Sequence, residues 1–441
     1  MKTTILKLFI IIFALCAEYT IAQWQPSVRL SDYPFSSRTN LHNARNVAAD
    51  GNLVHVVWED FRAGASGEVY YKRSTDKGVT WGVDTRLTNN IGHSIQANIV
   101  AANQFVHVVW RDSHGGNPDV YYKRSTDGGL TWEAEIKISS GLGSTRYPIV
   151  AVYDQVVHVV FDDDRHGGSE VYYRRSTDLG ATWGTETRLT NVAGASYFCS
   201  LSVVGQNVHI TWEDSRDSPY REIYYKRSTD GGISWGADTR LTNDPAKSYF
   251  SSVAASDQFV HVTWNDERDG NMEIYYKRSS DGGTTWGADT RMTNTSIESE
   301  MANITALGQI VHLVWQDIPG HIEIFYKRST DGGISWESEI QISQVGFLSW
   351  YPSVCAGDSV VHVVWEDFRD GAGAEVYYRR NPSGNPNGVT QISSIIPEGF
   401  SISQNYPNPF NPMTNVKIQM SKSGFVSLKV FDITGKEVAV L

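Results

Sequence analysis

The stretch "VHVVW" and its close variants recur seven times, with His at 55, 107, 158, 209, 261, 312 and 362. Copies spaced 50–52 residues apart make each one a structural unit that buries its apolar surface against the next. The pattern within a unit is β. Repeat 2 holds four runs, "ANIVAA", "FVHVVWRD", "DVYYKRST" and "EIKISS", rich in Val, Ile, Tyr and Thr and bounded by Gly, Asn, Asp and Ser. Helix-period patterns of useful length are absent beyond the first 22 residues. Four strands in about 50 residues suit one blade of a β-propeller. A blade packed on both faces also explains why the second run is apolar at odd and even positions. The expected fold is therefore all-β, a propeller of four-stranded blades. The repeat count favours seven blades, with six as the alternative. The "SVRLS" run at 27–31 resembles a fourth strand lying ahead of repeat 1, and is expected to pair with the last blade and close the ring.

The flanks read differently. Lys2 and Lys7 precede an apolar run, Leu8 to Ala17, and Thr20-Ile21-Ala22 supplies small residues before Gln23. Residues 1–22 are expected to be a secretory signal peptide, too short to span a membrane. The propeller is expected over 23–393, followed by a Pro/Asn/Ser-rich linker at 394–412 and a partial β domain at 413–441. Formal charge is −11 with no basic stripe, so nucleic acid is not an expected partner. Cys199 and Cys355 lie 156 residues apart at non-equivalent repeat positions and are expected to be packed thiols. No metal or other cofactor is expected.

"KRSTDGGLTW", residues 123–132, looks reactive at first sight. Its Asp recurs at 76, 127, 178, 230, 281 and 331. A catalytic centre needs one converging set of groups, whereas six copies on six blades are spread around a rim. The carboxylate is expected to pin a hairpin by accepting backbone N–H bonds, with Gly supplying positive φ. S-x-D-x-G-x-T-W resembles the Asp-box, or bacterial neuraminidase repeat, of sialidase-like propellers, and the resemblance covers roughly 27–393. It implies that the boxes lie opposite the functional face. "NYPNPFNP" with "VSLKVFDITGKEVAVL" resembles the C-terminal sorting domain of the type IX secretion system, cut short at Leu441. That resemblance implies the type IX machinery as a partner and a secreted or cell-surface location. A monomer is expected.

What recurs in every blade is scaffold, so the seven His and the W-x-D aspartates are assigned to packing and turns. Arg62, Arg165, Arg216, Arg268 and Arg369 are assigned chiefly to pairing with nearby acids. Function is sought where repeats disagree, at the upper end of the innermost strand. Counting back from "VHVVW" gives the pairs Asn43-Ala44, Gln96-Ala97, Arg146-Tyr147, Tyr197-Phe198, Tyr249-Phe250, Glu300-Met301 and Trp350-Tyr351. Aromatic rings beside Arg, Glu and Asn suit a sugar. Of 14 tryptophans, only Trp24 and Trp350 fall outside the repeat pattern. The residue after the strand-two aromatic also varies, as Glu59, Arg111, Asp162, Glu213, Asn265, Gln316 and Glu366.

Sialidases clamp a substrate carboxylate with three arginines and use a Tyr nucleophile. "ARNVAAD" resembles their first arginine segment, which implies Arg45 as a clamp residue. "WYPSV" resembles their late tyrosine segment, which implies Tyr351 as nucleophile. Glu300 is the carboxylate candidate for a catalytic role. The expected ligand set is Arg45, Arg146, Tyr147, Tyr197, Tyr249 and Trp350, for a carbohydrate or glycoprotein. Three functions follow: a surface glycan-binding propeller, a sialidase or other glycosidase with a Tyr or carboxylate nucleophile, and a non-catalytic structural module.

Overall fold

The second strand of each repeat sets the architecture. In "VHVVW" of repeat 2, Val106, Val108 and Trp110 pack with Val57 and Tyr71 of the preceding repeat. Val109 packs the other way, with Val150 and Phe161 of the following repeat. A strand that is apolar on both faces therefore sits between two neighbours. Each of the seven apolar clusters draws on two consecutive repeats, so the core is a circle of interfaces.

The computed structural model describes residues 24–384 apart from 33–35, 41–44, 63, 65, 218, 219, 319, 358 and 372, and four short strands beyond. The expected signal peptide lies outside the described residues, as does the expected linker except for Ser401–Ile402. Seven antiparallel sheets form seven blades. Blade 2 is typical: Ser94–Ala102 innermost, then Phe105–Asp112, Asp119–Ser125 and Ile136–Lys137 outermost. The innermost strands of blades 3 to 7 are Thr145–Tyr153, Ser196–Val204, Ser248–Ser256, Ser299–Leu307 and Ser349–Gly357. The innermost strand of blade 1 is split into Ser37–Arg38 and Val47–Asp50. The chain divides into two compact units, Met1–Gly388 and Val389–Leu441. In the second, Ser401–Ile402 pairs with Ile418–Gln419 and Lys429–Phe431 with Glu437–Val440.

The ring closes as the "SVRLS" run implied. Val28–Arg29 is the outer strand of blade 7, with Val28 opposite Tyr378 and Arg29 opposite Tyr377. Trp24 has a role that its sequence position hid. In six blades the Asp-box Trp packs edge-on against a strand-three Tyr of the preceding blade, as Trp132 does on Tyr71 at 4.9 Å. Blade 7 has no such box, and Trp24 fills the seventh place, edge-on to Tyr326 at 4.8 Å. Trp24 thus belongs to the repeat pattern in space.

The Asp boxes are turn pins. Asp127 Oδ1 accepts the Ser125 hydroxyl at 2.7 Å and the Leu130 and Thr131 N–H groups at 3.0 and 2.9 Å. Its Oδ2 accepts the Thr131 hydroxyl at 2.6 Å. These bonds hold its pKa down at about 2. Gly129 has φ +82°, and a Cβ there would lie 1.8 Å from the Tyr71 hydroxyl of blade 1. Arg73 of blade 1 donates to the Gly128 carbonyl at 2.9 Å, stitching the box to its neighbour. Blade 7 keeps the stitch without a box, because Arg328 donates to the Gly384 carbonyl at 3.0 Å.

The other repeated polar groups are also scaffold. All seven strand-two histidines bond a Tyr hydroxyl through Nδ1 at 2.6–2.8 Å. Burial pushes their pKa values down to about 3, or about 4 for His209, so they are neutral. Asp60 accepts the Trp58 indole N–H at 2.9 Å and a two-pronged Arg62 at 2.8 and 2.6 Å. Arg62 also lies over the Tyr70 ring at 4.4 Å. Cys199 and Cys355 are free, and burial pushes both thiols up.

The ring predicts equal roles for Trp24 and an Asp-box Trp. Trp24→Ala and Trp132→Ala are each expected to cost about 3 kcal/mol in urea denaturation. An unchanged midpoint for Trp24→Ala alone would remove this segment from the ring.

Candidate functional site

The face opposite the Asp boxes is built from the starts of the innermost strands. Each such strand opens on Ser or Thr. In five blades that residue is Ser37, Ser94, Ser196, Ser248 or Ser349, whose hydroxyl bonds the W-x-D carboxylate at 2.7–3.2 Å. One residue later, blades 2 to 7 carry a β-bulge. Its first residue is left-handed in all six: Gln96, Tyr147, Phe198, Phe250, Met301 and Tyr351, with φ between +50° and +59°. For a residue with a Cβ this costs about 1 kcal/mol or more, and bulges of this kind re-aim side chains.

The strained residues are held from the neighbouring blade. Glu59 accepts the Gln96 N–H at 2.5 Å, Asp162 that of Phe198 at 2.7 Å and Glu213 that of Phe250 at 2.7 Å. Gln316 does the same for Tyr351 at 2.8 Å. Blade 2 offers Arg111 here, which has no acceptor, and the Gln96 side chain bonds the Tyr147 N–H instead, at 3.0 Å. Four of the variable residues after the strand-two aromatic, Glu59, Asp162, Glu213 and Gln316, are thus struts between blades. Burial pushes Glu59, Asp162 and Glu213 up to about 7 and Glu366 up to about 8.

Two of the seven pairs shift. In blade 2, Ile95 stands opposite Arg111 as Arg146 stands opposite Asp162, so the pair is Ile95-Gln96 and not Gln96-Ala97. In blade 1, Arg38 stands opposite Glu59, so Arg38-Thr39 replaces Asn43-Ala44. Asn43 and Ala44 lie outside the described residues. Arg38 was missed because a longer insertion separates it from "VHVVW". The Ser that opens each innermost strand is the signal that would have found it.

Side chains at this level form two sectors. Aromatic rings run without a break across blades 3, 4 and 5. Tyr147 meets Phe198 at 4.7 Å, and Phe198 meets Phe250 at 5.3 Å. Tyr197 and Tyr249 flank them at 6.1 and 5.1 Å. All five are partly exposed. Arg221 covers the Tyr197 ring at 4.6 Å and is held by Glu213 at 2.8 Å. The second sector, on blades 1 to 3, is cationic. Arg38 is exposed and lies over Phe61 at 5.4 Å. Arg111 donates to the Thr145 carbonyl at 3.1 Å, and Arg146 pairs with Asp164 at 2.9 Å. The Arg111 pKa is lowered by burial and then by the Arg146 charge.

The proposed catalytic and clamp residues are placed as follows. Arg45 lies inside the central channel, where its guanidinium donates to the Leu201 and Val253 carbonyls at 2.9 and 3.3 Å. It braces blade 1 against blades 4 and 5, and burial lowers its pKa to about 10. Tyr351 and Glu300 meet through Gln316, which donates to Glu300 at 2.9 Å and accepts the Tyr351 N–H. Burial and the charges of Glu366 and Glu300 push the Tyr351 hydroxyl up to about 12. It is protonated at neutral pH. Trp350 lies beside Tyr351 at 5.6 Å, partly exposed. Tyr249 donates to Glu267 at 2.6 Å. Arg45, Arg146 and Tyr351 are held by different partners, the Leu201 and Val253 carbonyls, Asp164 and Gln316, whereas the rings of Tyr147, Tyr197, Phe198, Tyr249 and Phe250 form one surface. Among the described residues, no group of three His, Cys, Asp or Glu could hold a metal, and no helix is long and apolar enough to cross a membrane.

No family model matches the chain. Xyloglucanase Xgh74A of Acetivibrio thermocellus is 29% identical over 188 residues, 37% of this chain and 22% of that protein. The chain thus spans about a fifth of the length of this curated relative. Among solved structures, an ulvan lyase of polysaccharide lyase family PL25 aligns with TM-score 0.56 at 11% identity, over 80% of this chain and 95% of that one. Phage phi92 endosialidase aligns with TM-score 0.50 at 11% identity, over 94% and 78%. A protein of unknown function from Dyadobacter fermentans aligns with TM-score 0.50 at 17% identity, over 66% and 95%. The class is that of a seven-bladed β-propeller with sialidase- and glycosidase-like architecture.

The struts predict a pH dependence. A carboxyl whose folded pKa is raised binds its proton more tightly when folded. Its contribution is full below the unfolded value and is lost as pH rises from about 4.3 towards the folded value of about 7. Gln316 already does this work without a charge. Glu59→Gln is therefore expected to leave the thermal midpoint unchanged near pH 4.5 and to raise it near pH 8. A lower midpoint for the variant at pH 8 would mean that the charge of Glu59 stabilises the fold.

Proposed function

We propose that the channel mouth opposite the Asp boxes binds carbohydrate. The reading rests on one observation. Rings from three blades form a continuous surface at the position where the repeats stop agreeing. Partly exposed aromatic rings stack on the C–H faces of sugars. Arg38, Arg111 and Arg146 supply donors to hydroxyls or an acidic group on the opposite side. Tyr351 is read as a wall of this site, since its hydroxyl keeps its proton at neutral pH. Arg45 is read as a brace beneath it.

The test is a glycan array that includes xyloglucan and ulvan, the materials named for two of the relatives. It is paired with turnover of a fluorogenic sialoside. Retention without turnover is expected, weakened roughly tenfold by Phe198→Ala and by Trp350→Ala. Sialoside turnover abolished by Tyr351→Phe would replace binding with hydrolysis. Retention of no glycan would leave a structural module. The Lys2–Ala22 leader and the 413–441 segment support export to the cell surface through the type IX machinery, read out by cell fractionation.

A further inference from the structure

A second cavity of about 350 Å³ lies outward from the mouth, between blades 4 and 5. Its walls are Tyr220, Arg221, Lys247, Tyr249, Phe250 and Glu267. Phe250 belongs to both places, because its ring meets Phe198 at 5.3 Å in the mouth and also lines the cavity. Arg221 bridges the same boundary: it lies on the Tyr197 ring at 4.6 Å and forms part of the outer wall.

The wall is rich in hydrogen-bond donors and close to neutral. Lys247 and Glu267 pair at 3.3 Å, and Arg221 and Glu213 at 2.8 Å. A guanidinium has five donors and an ammonium three, so one ion pair each does not exhaust them. Tyr249 donates its O–H to Glu267 and keeps lone pairs that can accept. Spare donors with balanced charge, beside aromatic rings, suit hydroxyls and ring oxygens.

We propose that this cavity is a subsite for a further sugar residue of the chain whose other end occupies the mouth. The ligand is then an oligo- or polysaccharide gripped along its length, and a single terminal sugar fills only part of the site. The proposal rests on the carbohydrate reading of the mouth. A chain that fills both places gains the second contact at high effective concentration, without a second encounter.

The experiment measures affinity along oligosaccharide ladders, from disaccharide to octasaccharide, of xyloglucan and of polygalacturonate, for the wild type, Tyr220→Ala and Lys247→Ala. Tyr220 and Lys247 are exposed. Thermal unfolding shows whether each variant keeps the fold. Expected is a rise of roughly tenfold or more between the short and long members of one ladder. Both variants should flatten that rise and leave the affinity for the shortest bound member unchanged. Affinity independent of length overturns the proposal while leaving the mouth reading intact. So does a rise that neither variant changes. Absence of binding by any member of either ladder, or by any array glycan, overturns both.

Discussion

A sheet that is apolar on both faces cannot stop. Every blade needs a neighbour on each side, and only a closed ring gives all seven two neighbours. The constraint is written in the second strand, whose odd and even positions feed different interfaces. Closure then falls to the chain's beginning, since the repeats supply six box tryptophans and six complete outer strands. Val28–Arg29 and Trp24 provide the missing strand and the missing ring. The Asp boxes serve the same end. Their glycines admit the neighbour's Tyr hydroxyl, and their carbonyls receive the neighbour's arginine.

Once these groups are committed to interfaces, little is left to vary except the mouth. Even there the scaffold reaches in. In five of the six bulges, those of Gln96, Tyr147, Phe198, Phe250 and Tyr351, the strained backbone N–H is held by a side chain of the previous blade. A change in one blade is therefore felt in the next. Blade 2 shows this directly. Arg111 replaces an acceptor, so the Tyr147 N–H goes to the Gln96 side chain. A cation at the mouth and an amide one strand away are two parts of one exchange.

Seven repeats, their strand order, the pinning role of Asp127, the packed histidines and the returning N-terminal strand were legible, because each depends on composition repeated in register. The individual site was legible only in part. Tyr147, Tyr197 and Tyr249 were found at the mouth because the pairs that hold them stand at a constant distance from "VHVVW". Arg38 was not, because the split innermost strand of blade 1 holds a longer insertion between Arg38 and "VHVVW". Ile95-Gln96 keeps the spacing of blades 3 to 7 from its His, and Gln96-Ala97 lies one residue off that spacing. Arg45 resembled a clamp residue in sequence, yet lies past the bulges, where the first groups it can reach are backbone carbonyls. Trp24 looked unpatterned because its partner Tyr326 is almost the whole ring away in sequence.

Arg45 decides what kind of site the mouth is. The channel beneath it encloses about 200 Å³ and is lined largely by small apolar residues such as Ala151, Ala254 and Ala306. A guanidinium from blade 1 that bonds carbonyls of blades 4 and 5 crosses that space just inside the bulges. Its cost is visible in the lowered pKa, and the two carbonyl bonds offset part of it. The consequence is a floor. On the proposed carbohydrate reading, a ligand entering the mouth would meet this brace on the axis and extend sideways over the rings. The sideways exits are the seams between blades, and the seam between blades 4 and 5 opens into a cavity edged by the same Phe250. On that reading Arg45 would brace the floor, with aromatic rings of blades 3 to 5 on one side, Arg38, Arg111 and Arg146 on the other, and the cavity between blades 4 and 5 beyond Phe250.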